Sequence, residues 1–587
     1  MKLIAVKDSL ISKNFTDMKK IIFAIICFVL CTGYAKAETD KDEKIQQLTE
    51  ELIAYFGGKL PTGITLSPDS TTSNINLKEF LTDSVSKRYF EQVGQIMLTE
   101  KAVENEMKIE IEDMRLEEIP EEIQEVSALQ RQQNQGPLKA VAVPQVTFCL
   151  SIPYTYMSVD GKNNPVRLSS IMYRPSPFQF NYTAKVGAVK WIFISPIATL
   201  VVELVKGLWN ATFGYTFDYG VLLCHPTVTT SEEAPTGKNP LGDKLYMFCS
   251  NYAIVVSPDY CGYGLSEYRQ HPYLVQGITA RNVVDGYIAA LDLIKENKAT
   301  GASGSWNLAS DFYTDVMGYS QGGSVALATL RYLESDQVSK ENLDRINLRN
   351  TYCGDGPYSP IATVKQYVEW SNMKEDRYHY MEYPCVLPLI VQAAKDAYNS
   401  DCMRTVEVES YFTKKFLDTN ILKDLDSKRV PTWQLNRNTT AAGTRSVDEI
   451  MSDKIIVKRV DENTGEMVND FNTESNEYKC LFRALEYNDL SKGWTPHHNL
   501  LFMHYDGDGV VPYCNMEEVK RNLTCDSSKK MVFIEAYELK TKLAFHSPAW
   551  SLIATLVNKV FDNPDHGSMG EFFFLAAASG IFDDMLD

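Results

Sequence analysis

Gly318-Tyr319-Ser320-Gln321-Gly322-Gly323 is where this sequence has the clearest capacity for chemistry. The apolar residues before it read as the end of a strand, and residues 324–328, Ser-Val-Ala-Leu-Ala, read as the start of a helix. A serine on so sharp a turn has a strained backbone. The positions two before and two after it lie so close to the neighbouring strand and helix that a β-carbon would clash, which calls for Gly318 and Gly322. The hydroxyl is lifted above the sheet edge, over the positive end of the following helix, where an oxyanion is stabilised. This is the spacing of a nucleophile elbow. An ordinary glycine-rich turn has the same pentapeptide, so acyl chemistry at Ser320 requires an acid and then a histidine further along the chain.

Elements able to position such partners are present. From residue 140 the sequence becomes rich in β-branched and aromatic runs, with strands expected at 143–152 and 166–173 as the antiparallel start of a mixed sheet. The runs 219–224 and 252–257 end in polar loops, His225-Pro226-Thr227 and Pro258-Asp259-Tyr260-Cys261-Gly262, as strands do at the carboxyl edge of a parallel sheet where α/β folds place ligands. Residues 276–294 read as a crossover helix into the elbow strand, and 347–353 as the next strand. The strand pattern then stops from 361 to 493, an insertion expected to form a helical cap over the site. It resumes at 499–503, before His504-Tyr505-Asp506-Gly507-Asp508-Gly509-Val510-Val511-Pro512, and at 531–537. The fold class is therefore α/β, with a mostly parallel central sheet and helices on both faces. The expected divisions are a signal region 1–37, an N-terminal helical region 38–139, a core in two parts at 140–360 and 494–587, and the cap between them.

The chain has 587 residues, 44% of them apolar, enough for a large core with insertions. A formal charge of −18 and no basic stripe argue against a nucleic-acid partner. Lys19-Lys20, an apolar run to Cys31 and Ala35-Lys36-Ala37 have the order of a signal peptide starting at Met18, so export to the periplasm or the exterior is expected. Of the 12 cysteines, the ten outside the signal region show no metal-type C-x-x-C spacing, and no cofactor is implied. Cys514 and Cys525 flank a helical-looking segment whose rise of ~1.5 Å per residue holds them too far apart to bridge. Two segments opening with Ser-Pro, 195–209 and 547–561, read as amphipathic helices that either pack near the site or make a shallow membrane contact.

With these residues in view the sequence resembles the α/β-hydrolase superfamily, and within it the secretory lipases of the yeast lipase A type, over roughly residues 140–587. The likeness is carried by Pro258-Asp259-Tyr260-x-Gly262, Gly318-Tyr319-Ser320-x-Gly322-Gly323, Gly354-x-Gly356-x-Tyr358 and Asp508-x-Val510-Val511-Pro512-Tyr513. It implies hydrolysis of a small-molecule or lipid ester through an acyl-enzyme on Ser320, with Asp508 as the triad acid by position. The N–H of Gln321, just after the nucleophile, would be one oxyanion donor. For the second, the lipase likeness points to the N–H of Asp259 and the general α/β-hydrolase plan to the loop 225–227, in effect Thr227 because Pro226 has no N–H. A peptidase of the same fold, or an inactive binding protein on this scaffold, are the competing functions.

Two of the eight histidines, His546 and His566, follow Asp508. His546 lies nearer the last strand but between Leu543-Ala544-Phe545 and Ser547-Pro548, the context of a packed or capping residue. His566 sits among Asn563-Pro564-Asp565 and Gly567-Ser568, read as a polar loop before a helix starting near Met569, and is the expected general base.

Overall fold

The computed structural model describes residues 141–142, 149–175, 183–184, 215–237, 253–299, 306–373, 379–399, 402–546 and 565–586. The expected signal region 1–37, the N-terminal region 38–139 and both Ser-Pro segments lie outside the described residues. Among the described residues no helix is long and apolar enough to cross a membrane.

Eight strands form one sheet: β1 Cys149–Val159, β2 Pro165–Pro175, β3 Tyr215–Cys224, β4 Ala253–Pro258, β5 Trp306–Tyr319, β6 Leu348–Gly354, β7 Asn499–His504 and β8 Met531–Glu535. Their spatial order is β1-β2-β4-β3-β5-β6-β7-β8. β2 is antiparallel to both its neighbours, and the other pairings are parallel. The β1–β2 hairpin turns where the Asp160 carboxylate accepts the N–H groups of Lys162 (3.0 Å) and Asn164 (2.9 Å), with Asn163 in the left-handed region at φ 64°. Asp and Asn are the residues that turn chemistry favours there.

The sheet is covered on both faces, which explains why β4 is buried at every position and has no polar alternation. Ile254 and Val256 pack with Val284 and Tyr287 of α1 (Gln276–Ala299) and with Val325 of α2 (Gln321–Leu333). Val255, pointing the other way, belongs with Phe572 and Phe573 of helix His566–Ser579. Period-two alternation thus divides one strand between two cores.

The insertion has a core of its own, built from Leu389, Ile390, Phe416, Leu481 and Leu485, and a disulfide joins Cys402 to Cys480 with 5.4 Å between α-carbons. Besides helices such as Val386–Ala397 and Asn476–Tyr487 it contains a β-hairpin, Ile456–Val460 paired with Met467–Phe471. The expectation of a purely helical insertion is corrected there. The hairpin lies mostly on the surface and carries Lys458, Arg459, Glu466 and Asp470, so it has little apolar alternation to betray it. Cys514 and Cys525 are both free thiols, with helix Cys514–Asn522 between them, as expected.

Candidate active site

Ser320 is the single residue between β5 and α2, at φ 58° and ψ −128°. For a non-glycine residue that conformation costs ~1–3 kcal/mol and persists only where the surroundings enforce it. They do so here: the Ser320 N–H donates to the Gly354 carbonyl (2.9 Å), and the Ser320 carbonyl accepts from the N–H groups of Gly323 (2.9 Å) and Ser324 (3.3 Å). A β-carbon on Gly318 would overlap the Gly322 carbonyl, one on Gly322 the Cys224 carbonyl at the end of β3, and one on Gly323 the Gly354 carbonyl at the end of β6. These obstacles are all backbone. Gly322→Ala is therefore expected to destabilise the protein by ~1–3 kcal/mol through overpacking, read from the midpoint of urea unfolding. An unchanged midpoint would mean that β3 can move aside.

The Asp508 loop follows β7. One carboxylate oxygen accepts the N–H groups of Val510 (2.7 Å) and Val511 (2.9 Å), and the other lies 2.5 Å from His566 Nδ1. Burial alone would raise this carboxyl. The neighbouring His566, with smaller help from His504 and the Val511 N–H, holds it below its ordinary value, so Asp508 is the charged partner. A carboxylate at Nδ1 puts the ring proton there and leaves the lone pair on Nε2. That atom is buried and has no hydrogen-bond partner among the described residues, Ser320 included.

His566 is the first residue of its helix rather than a loop residue, a correction with a local cause. Asp565 is the N-cap, its carboxylate accepting the Ser568 N–H (2.7 Å) while its own N–H donates to Ser568 Oγ (3.0 Å). This capping box starts the helix three residues earlier than the Met569 expected from sequence. The His566 carbonyl accepts the Tyr319 hydroxyl at 2.7 Å, which ties the histidine to the residue next to Ser320. His546 is the last residue of helix Ala536–His546.

The oxyanion side needs one correction. Gln321, first in its helix, has no carbonyl four residues back for its N–H to bond, which leaves that donor available. The N–H of Asp259 is already spent on the Ser169 carbonyl (3.1 Å), so it is not a free donor. The Asp259 carboxyl is structural too: it accepts from Ser169 Oγ (2.5 Å), Thr236 Oγ1 (2.5 Å) and the Thr236 N–H (2.8 Å), and burial raises it to about 6 against those bonds. Thr227 remains. Its loop is braced by the His225 ring stacked on Tyr260 (3.8 Å between centroids), by the Tyr260 hydroxyl on the His225 carbonyl (3.1 Å) and by Glu233 accepting the Thr229 N–H (3.1 Å). The Thr227 N–H makes no hydrogen bond among the described residues.

Sequence reasoning missed several polar residues around the site. His271, held neutral by burial, has Nδ1 on the Cys261 carbonyl (2.9 Å) and accepts at Nε2 from the Gln321 side chain (2.8 Å). Asp355, His504 and Asp508 each place one ligand-type atom within 4.8 Å of the others. Both oxygens of Asp508 are already hydrogen-bonded, and His504 donates from Nε2 to the Val511 carbonyl (2.9 Å), which leaves its buried Nδ1 without a hydrogen-bond partner among the described residues.

The insertion touches this region. Tyr367 donates to the Val510 carbonyl (2.5 Å), and the Tyr383 ring lies 6.5 Å from that of His566. Glu233, on the loop after β3, accepts the Thr432 N–H (3.1 Å) and hydroxyl (3.0 Å), linking core to insertion. A cavity of about 360 Å³ lies along that junction, lined by Thr230, Ser231, Lys428, Arg429 and Trp433 among others.

A sheet ordered 1-2-4-3-5-6-7-8 with strand 2 reversed and a strained serine after strand 5 defines an α/β-hydrolase fold. No family model matches the sequence, and no curated protein does. Among solved structures the chain is similar to the rice cell wall degrading esterase LipA from Xanthomonas oryzae, at 17% identity and TM-score 0.45 over 71% of this chain and 91% of that one. It is also similar to Candida antarctica lipase A, at 14% identity and TM-score 0.36 over 72% of this chain and 84% of that one.

Proposed function

We propose that the chain is an exported serine hydrolase that cleaves carboxylic esters. The observation that carries this is the buried Asp508–His566 pair, whose unpartnered Nε2 belongs to a histidine tied through Tyr319 to the elbow of Ser320. Ser320 Oγ attacks the ester carbonyl as Nε2 takes its proton, and Asp508 stabilises the imidazolium. Nε2 then gives that proton to the departing alkoxide, leaving an acyl-enzyme. Water, deprotonated by the same nitrogen, attacks the acyl carbonyl, and collapse releases the acid and restores Ser320. The N–H groups of Gln321 and Thr227 receive the carbonyl oxygen as its charge develops. The insertion 361–493 covers this site and narrows what reaches it, with the Tyr383 ring facing that of the histidine.

A panel of chromogenic esters and peptide amides, run on the mature protein beside Ser320→Ala, tests this. Ester turnover that disappears in Ser320→Ala is the expected result. Ester turnover persisting in that variant would sink the mechanism, efficient amide turnover with negligible ester turnover would identify a peptidase, and turnover of neither would leave a binding protein on this fold.

A further inference from the structure

Asp355 is fully buried at the end of β6, between Gly354 and Gly356, and the mechanism above has no use for it. Its φ of 38° is a conformation that aspartate and asparagine tolerate better than other side chains. One carboxyl oxygen accepts the Tyr505 N–H (3.0 Å) and the other lies 2.6 Å from the Tyr319 hydroxyl. That hydroxyl is also 2.7 Å from the His566 carbonyl. A tyrosine has one proton and two neighbours here, and the carbonyl can only accept. If Tyr319 donates to the carbonyl, the bond to Asp355 needs a proton from the other side.

We propose that Asp355 is held as the neutral acid and acts as a positioning residue, donating its proton to Tyr319 Oη so that Tyr319 can donate to the His566 carbonyl. The chain Asp355 O–H to Tyr319 O–H to His566 C=O fixes the backbone of the histidine while Asp508 fixes its ring. This role rests on the esterase reading; the protonation itself does not.

The surroundings agree with donor counting. The groups facing Asp355 are Tyr319 from β5, Tyr358 after β6, His504 and Asp508 from β7 and its loop, and His566 through the tyrosine. No lysine or arginine is paired with it among the described residues. Two buried carboxyls within 4.8 Å of each other cannot both ionise at small cost. Asp508, with two N–H donors and an imidazole, is the better place for the charge. Burial first, and the charge of Asp508 second, accordingly hold the Asp355 carboxyl well above its ordinary value, opposite in direction to Asp508. The contribution of Asp355 is complete while it is protonated and is lost as pH rises through that raised value.

Asp355→Asn tests the idea because its amide can accept from Tyr505 N–H and donate to Tyr319 without titrating. Asp355→Asn is expected to keep kcat/KM within about threefold, whereas Tyr319→Phe lowers kcat by ~10–100-fold with KM little changed, the size of effect a slightly misplaced catalytic group produces. Adding Asp355→Asn to Tyr319→Phe should cost nothing further, and any alkaline loss of rate due to Asp355 ionisation should be absent from Asp355→Asn. Infrared spectra at neutral pH should show a carboxylic-acid C=O band in the wild type that Asp355→Asn lacks. A rate loss in Asp355→Asn matching that of Tyr319→Phe, or spectra without that band, would overturn the proposal. The band is read without substrate, so it tests the proton on Asp355 even if Ser320→Ala shows that the esterase reading is wrong.

Discussion

His566→Ala lowers ester turnover by four to six powers of ten, roughly as Ser320→Ala does, because triad members act as a unit and what survives is binding and oxyanion stabilisation alone. His546→Ala leaves most of the rate. The asymmetry follows from the geometry. His566 has Nδ1 on the buried Asp508 carboxylate and a buried Nε2 with its lone pair unspent, which is the state a general base must be in before substrate arrives. Its backbone is held by the Asp565 capping box on one side and by Tyr319 on the other, so the imidazole is positioned by two elements of the fold. The measurement is kcat/KM on one activated ester for the three alanine variants, each with a urea midpoint to establish that it is folded. A folded His566→Ala enzyme with more than a tenth of the wild-type rate would remove His566 from the mechanism, and a collapse in His546→Ala would put the other histidine in its place.

What the sequence made legible follows the strength of its physical signals. The elbow was readable because its glycines answer to backbone obstacles that admit no other residue, and each stretch assigned to the sheet between 219 and 535 fell on a strand with ends shifted by a few residues. Only the last part of β5 was foreseen, because the exposed Ser310 and Asp311 interrupt the apolar run ahead of it. Of the expected strand 143–152, residues 143–148 lie outside the described residues and the rest falls on Cys149–Val159, which runs on to the Asp160 turn. Asp259 drew attention by its Pro-Asp-Tyr-x-Gly context, yet whether its N–H is free depends on β2 lying alongside, a pairing between distant segments. The Cys402–Cys480 pair, with a sequence separation of 78, and the burial of Asp355 beside Asp508 are likewise products of tertiary packing, without a local pattern to announce them.

Asp508→Asn separates the acid's two tasks, orienting the imidazole and carrying charge. The amide oxygen can still accept from Val510 and Val511, so the loop keeps its turn. The amide nitrogen would then face His566 Nδ1 and donate to it, which drives the ring proton to Nε2, the one atom that must be free to take the proton of Ser320. Turnover should fall by ~10⁴-fold at neutral pH, the cost of the wrong tautomer in a serine triad. Stability carries a second signature. Asp508 is held below its ordinary value of 3.8, so in the wild type its stabilising contribution is fully present above that value and is lost as pH falls through the lower folded one. Asparagine does not titrate, so the variant should be less stable than wild type at neutral pH, with the gap closing as both are acidified below 3.8. Urea unfolding at a series of pH values, beside kcat/KM at neutral pH, measures both. A folded Asp508→Asn enzyme within tenfold of the wild-type rate would show that Asp508 does not set the tautomer of the working histidine, while a stability gap constant with pH would show that it is not the charged member of the pair.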